Sequence, residues 1–137
     1  MRRRKPLSKT DALKSVPLFD SCSKADLGRI ARIADEIDLP EGKKLIGQGD
    51  SARQFFVLLD GWADVRRNGR KVNTMGPGDF FGEIGLVTDR LATATVTTTT
   101  PARALVITRA SFKGLLRDSP SVQLKVLQAL AQRIPGD

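Results

Sequence analysis

GPGDFFGEIGLVTDRLATATV, residues 76–96, joins a tight Gly76-Pro77-Gly78 turn to two phenylalanines, a carboxylate between glycines, a short polar link holding Arg90, and Thr93-Ala94-Thr95-Val96, the start of a strand. Gly82 and Gly85 carry no Cβ, so nearby backbone N–H groups can approach an anion, and successive N–H groups in such a turn form an anion-binding concavity. Glu83 repels an anion but accepts hydrogen bonds from hydroxyls. Amides for a phosphate beside one carboxylate for a hydroxyl would suit a sugar phosphate. An ordinary glycine-rich turn has the same spacing, so the pattern alone leaves both readings open.

Around this stretch the signals are those of strands. Short apolar runs punctuated by Gly, Pro, Asn and Asp predict strands at about 35–39, 43–46, 54–59, 63–67, 71–75, 94–99 and 102–107. Asp60-Gly61 and Asn68-Gly69 are predicted as type I′ hairpin turns, whose geometry needs positive φ at both central residues. The run Val96-Thr97-Thr98-Thr99-Thr100 suits a pleated surface because its residues are β-branched, and Pro101 then breaks the ladder. Many short strands at regular spacing predict a mainly β sandwich or jelly roll.

Helical patterning flanks the strands. A first helix is predicted over about Lys9–Ser15, ending before Val16-Pro17 because proline disfavours helix in the residue before it. Val16, Leu18 and Phe19 form an apolar plug. Ser23 and Asp26 have capping-box-like spacing, and Leu27, Ile30, Ala31 and Ala34 follow along one core-facing stripe. After Thr108 a short helix is expected at 111–116, and Ser119-Pro120 then supplies a cap and an N1 proline for a last helix. In that helix Val122, Val126, Ala129 and Arg133 mark one stripe, while Leu124, Leu127, Leu130 and Ile134 widen the apolar surface beyond what one neighbour covers. The expected organisation is a mobile basic arm at 1–10, one domain at 11–134 and a tail at 135–137.

At 137 residues the chain has room for one core and no second complete domain. No apolar run approaches the ~20 residues of a membrane span, and the basic start MRRRKPLSKT has no apolar segment after it, so cytoplasmic residence is expected. One cysteine and no histidine exclude an intrachain disulfide, Cys/His zinc sites and histidine-based catalysis. Cys22 reads as a buried, inert thiol. The net charge of +8 raises nucleic acid as a partner, through Arg2, Arg3, Arg4 and Lys5, or else these form a solvated tail. A second basic group, Arg66, Arg67, Arg70 and Lys71, surrounds Asn68-Gly69. Glu83 has no partner acid or nucleophile arranged with it, so an enzyme is not expected.

FFGEIGL (80–86), ATATV (92–96) and the strand ARALVI (102–107) together resemble the phosphate-binding cassette of the cyclic-nucleotide-binding domain family. VPLFDSCSKADLGRIA (16–31) is similar to the family's N-terminal helical segment, and FFVLLDGWADV (55–65) to its central hairpin. The likeness covers about residues 11–134. It implies a double-stranded β-helix, or jelly roll, flanked by N- and C-terminal helices. It also implies a stand-alone sensor or regulatory module with no cofactor or metal, taking a cyclic nucleotide monophosphate such as cAMP and acting on a regulated protein partner.

By the same likeness the site comprises Gly82, Glu83, Ile84, Gly85, Arg90, Ala92, Thr93 and Ala94. Gly82 and Gly85 would offer amides, Glu83 would take the ribose 2′-hydroxyl, and Thr93 would give an amide to the phosphate. The family's cassette ends in Arg-x-Ala-Thr/Ser-Val, yet counting back from Val96 or forward from Glu83 leads to Ala92. Arg90, two residues upstream, is either a solvated loop charge or the side chain that reaches the phosphate instead. The departure implies weak ligand binding, or a degenerate member serving as a protein-interaction domain. The last helix resembles the family's hinge helix. Because Pro135-Gly136-Asp137 follow it, any lid over the base is expected to be incomplete or supplied by another subunit or a longer parent chain.

Overall fold

The computed structural model describes residues 8–132. The basic run Arg2–Lys5, residues Arg133 and Ile134 and the tail at 135–137 lie outside the described residues. Helix α1 (Lys9–Lys14) begins at Ser8, whose hydroxyl accepts the Asp11 N–H at 3.3 Å. The Lys9 ammonium donates to the carbonyls of Ala31 and Ala34, at 3.1 and 2.6 Å, where the next helix ends. The expected arm therefore loses residues 8–10 to the folded unit, because a cap and a lysine against exposed helix carbonyls hold them.

A 3-10 turn (Pro17–Phe19) leads to α2 (Lys24–Arg32). Ser23 and Asp26 make both bonds of the predicted capping box, at 3.1 and 3.3 Å. Eight strands follow: β1 (Asp35–Leu39), β2 (Lys44–Ile46), β3 (Gln54–Asp60), β4 (Ala63–Arg67), β5 (Arg70–Met75), β6 (Phe80–Phe81), β7 (Thr95–Thr98) and β8 (Ala102–Thr108). They pair antiparallel in two four-stranded sheets, ordered β1-β8-β3-β6 and β2-β7-β4-β5. Two packed antiparallel sheets with flanking helices make the expected roll.

Three details differ from the reading of the sequence. Asp60-Gly61 does not close a hairpin: β3 and β4 lie in different sheets, only Gly61 has positive φ (+88°), and Asp60 stays in the ladder opposite Arg103. The dipeptide is a corner at which the chain changes sheets. Strand β6 was not expected, since two residues carry no period. Helix α3 (Arg109–Asp118) is longer than predicted because Thr108, the last residue of β8, is itself the N-cap, bonding the Ser111 N–H at 3.1 Å. Helix α4 (Pro120–Gln132) starts at the expected proline.

The apolar run of β3 is explained by burial on both faces. Phe55, Val57 and Leu59 point into a core shared with Leu13, Phe19, Ile30, Phe112, Val122 and Val126, where the helices cover the first sheet. Leu58 points the other way, into the space between the sheets with Leu39, Ala63, Met75, Val96 and Ala104. On α4 the stripe Val122, Val126 and Ala129 is buried, whereas Leu124 and Leu127 are exposed. Between the sheets, near the end closed by residues 80–94, the packing leaves an open cavity.

Candidate ligand-binding site

The cavity measures about 400 Å³, within the range of small-molecule sites. Val65 on β4, Met75 on β5, Val96 on β7 and Phe81 on β6 give it apolar walls, and Phe81 is stacked on Phe56 at 5.0 Å. Its polar side is made by two pieces of the cassette. The first is Gly82 and the 3-10 turn Glu83–Leu86, anchored by Leu86, which is buried in the core. The second is the segment Arg90–Ala94 leading into β7.

Of the residues named from the sequence, Gly82, Glu83, Gly85, Arg90, Ala92, Thr93 and Ala94 all line this cavity. Ile84 lies in the same 3-10 turn. Gly85 has a packing reason to be glycine: a Cβ there would lie 1.9 Å from the carbonyl oxygen of Ala52. Its N–H donates within the turn to Gly82 O at 3.0 Å. Gly82 has φ +84°, which favours glycine, and its carbonyl thereby closes the turn. The segment at Ala92 is fixed by its backbone. Ala92 N–H donates to Asp50 O and Gly49 N–H donates to Ala92 O, both at 2.8 Å. Arg90 is exposed, and its N–H meets the Thr88 hydroxyl at 3.3 Å.

Two arginines that sequence reasoning did not assign to the site act on this frame. Arg109, at the first turn of α3 and largely buried, donates from Nε to Gly85 O at 2.7 Å, from one terminal nitrogen to Asp89 at 2.6 Å and from the other to Thr88 O. It straps the link between the two cassette pieces to the helical layer, and no local pattern announces a contact made across 24 residues. Arg67 closes β4 and lines the cavity, its Nε donating to Thr93 O at 3.2 Å. Here a signal existed. Alternation in the strand Ala63–Arg67 places Arg67 on the face of Ala63 and Val65, so a cation stands where the period calls for an apolar residue.

Cys22 is half-buried, and its thiol is pushed up to about 11, chiefly by burial and then by the Asp26 carboxylate. It therefore lacks the thiolate character of a reactive cysteine. No group of acidic or sulfur ligands suited to a metal occurs among the described residues. No helix among them is long and apolar enough to cross a membrane.

Residues 36–119 match the family model described as cyclic nucleotide-binding domain. The chain is 34% identical over 114 residues to the cAMP-dependent protein kinase regulatory subunit of Eremothecium gossypii, covering 82% of this chain and 25% of that protein. Against the corresponding subunit of Schizosaccharomyces pombe it is 33% identical over 105 residues, 76% of this chain and 26% of the relative. It thus spans about a quarter of the length of these curated relatives. Among solved structures, the N-terminal domain of a transcriptional regulator from Streptomyces coelicolor A3(2) superposes with a TM-score of 0.83 at 26% identity, covering 90% of this chain and 92% of that one. The regulatory domain of Toxoplasma gondii PKA, crystallised with cAMP, superposes with a TM-score of 0.72 at 26% identity over 78% of this chain and 42% of the other.

Proposed function

The chain belongs to the cyclic nucleotide-binding domain family, and on that premise we propose that its cavity binds a cyclic nucleoside monophosphate such as cAMP, as the input of a cytoplasmic regulatory module acting on a protein partner. The observation that carries this is the cavity of about 400 Å³ with both halves of the cassette on its polar side and apolar strand residues opposite. Glu83 would accept the ribose 2′-hydroxyl, the Thr93 amide would meet the phosphate, and the apolar walls would take the base. No catalytic step is assigned to it.

Position 92 sets the strength of the proposed interaction. Alanine there brings no charge to a phosphate, and a charge-assisted hydrogen bond contributes roughly 1.5–3 kcal/mol, about one to two decades in affinity. Binding should therefore be weak, with positive charge available from Arg67 and Arg90, the two cations that line the cavity. The same Ala92 favours a second reading, a member without ligand that serves as a protein-interaction domain. Calorimetric titration with cAMP and cGMP separates the two. Saturable one-site binding, about micromolar or weaker, is expected; no heat and no rise in melting temperature with either nucleotide would favour the second reading.

A further inference from the structure

Four hydrogen bonds converge on the segment Ala92–Thr95, and the elements that make them bring a guanidinium to the cavity rim. Gly49 N–H bonds Ala92 O at 2.8 Å and Gln48 N–H bonds the Thr95 hydroxyl at 2.9 Å, both from the loop after β2. From the opposite side Arg67 Nε bonds Thr93 O at 3.2 Å. The fourth is the backbone bond of Ala92 N–H to Asp50 O. Loop and hairpin are themselves joined. The Gln48 side chain donates to the Asn68 carboxamide oxygen and accepts the Asn68 N–H, each at 2.8 Å, directly beside Arg67. Arg67 therefore stands on a strand end that is braced against the segment a phosphate would approach.

Of the two cations lining the cavity, Arg67 is the better placed. Both arginines are exposed, but among the described residues Arg90 bonds only through its backbone N–H. Holding an anion would require ordering that whole side chain, at a loss of rotamer freedom. Arg67 is already tethered through Nε, and its terminal nitrogens have no partner among the described residues. A guanidinium fixed by one nitrogen retains a pair of donors suited to two oxygens of one phosphate. We infer that Arg67, reaching in from the β4–β5 hairpin, is the charge partner of the ligand's phosphate, so that the anion is held from outside the cassette. The inference rests on the reading of the cavity as a cyclic-nucleotide site.

The test is calorimetric titration of the full chain and of Arg67→Gln, Arg67→Lys, Arg90→Gln and the double variant Arg67→Gln/Ala92→Arg with cAMP and cGMP, each variant checked by circular dichroism and melting temperature. Glutamine keeps a donor for Thr93 O and removes the charge together with the two terminal nitrogens. The expected result is at least fivefold weaker binding in Arg67→Gln with a shallower salt dependence, partial retention in Arg67→Lys, a smaller loss in Arg90→Gln than in Arg67→Gln, and recovery in the double variant, where the charge returns from position 92. The double variant reads the charge even if the hairpin is loosened by the first substitution. If the parent binds and Arg67→Gln binds within twofold of it, Arg67 is not the partner and the nucleotide reading stands. If the parent binds neither nucleotide, that reading fails and inorganic phosphate decides the anion site. A phosphate-dependent rise in melting temperature present in the parent and absent from Arg67→Gln supports the inference, and an equal or absent response in both overturns it.

Discussion

At the scale of single residues, Ala92 is the position where sequence and site can be played against each other. Its N–H and C=O are both held, by Asp50 and Gly49, so a longer side chain can be added without moving the backbone. Ala92→Arg should tighten cyclic nucleotide binding at least about tenfold in calorimetry, the lower end of a charge-assisted bond; unchanged affinity would mean that the pocket has departed from nucleotide binding at more than this residue. Cys22 gives an independent check on the packing of the helical layer. With its thiol raised to about 11, alkylation by iodoacetamide at pH 8 should run at least about tenfold slower in the folded chain than in denaturant. The cassette was legible because its residues are consecutive: Gly82, Glu83, Gly85, Ala92, Thr93 and Ala94 reach one cavity by way of one turn and one link. Arg109 was not, since its partner Gly85 lies 24 residues away, and for Arg67 the alternation of β4 marks the position but not its contact with Thr93, 26 residues away. Such contacts are set by sheet order and helix placement rather than by spacing.

At the scale of elements, local chemistry was read well where it is self-contained. Asn68-Gly69 has φ of +54° and +79°, and the ladder from Arg67–Arg70 onward is registered by that turn. Gly69→Val should destabilise by about 1 kcal/mol or more, because a β-branched residue resists positive φ. Urea unfolding checks this, and an unchanged midpoint would contradict the role given to the turn. The capping box at Ser23 and Asp26 was equally legible, each partner being three residues from the other. Asp60-Gly61 shows where such reasoning stops. The dipeptide announces that the chain turns, but whether the next strand pairs with the last or joins another sheet depends on what covers the faces of β3. Those covers, Phe112, Val122 and Val126 on one side and Met75 and Val96 on the other, come from distant parts of the chain.

At the scale of the molecule, helices α2 and α4 meet through one carboxylate. Asp26 is almost completely buried and serves three partners at once: the Ser23 N–H at 3.3 Å, Arg29 at 3.0 Å and the Ser121 hydroxyl at 3.1 Å, across 95 residues of sequence. Burial opposes its ionisation, but the Ser23 and Ser121 hydrogen bonds and the Arg29 charge outweigh it, and the carboxyl titrates below the ordinary aspartate range. A group whose folded pKa is depressed stabilises fully above its unfolded value. That contribution is therefore complete above about pH 4 and declines as the pH falls through the folded pKa. Asp26→Ala removes a helix cap and leaves the Ser121 hydroxyl without its acceptor, so it should destabilise by about 2–3 kcal/mol at pH 7. Asp26→Asn keeps the shape and removes the charge. In thermal melts it should fall below the parent at pH 7, and the gap should narrow as the pH falls below the ordinary aspartate value and the unfolded chain takes up the proton first. A gap that stays constant across that range would show that the ionised carboxylate contributes nothing, and that the helical layer is closed by the apolar contacts of Val122 and Val126 alone.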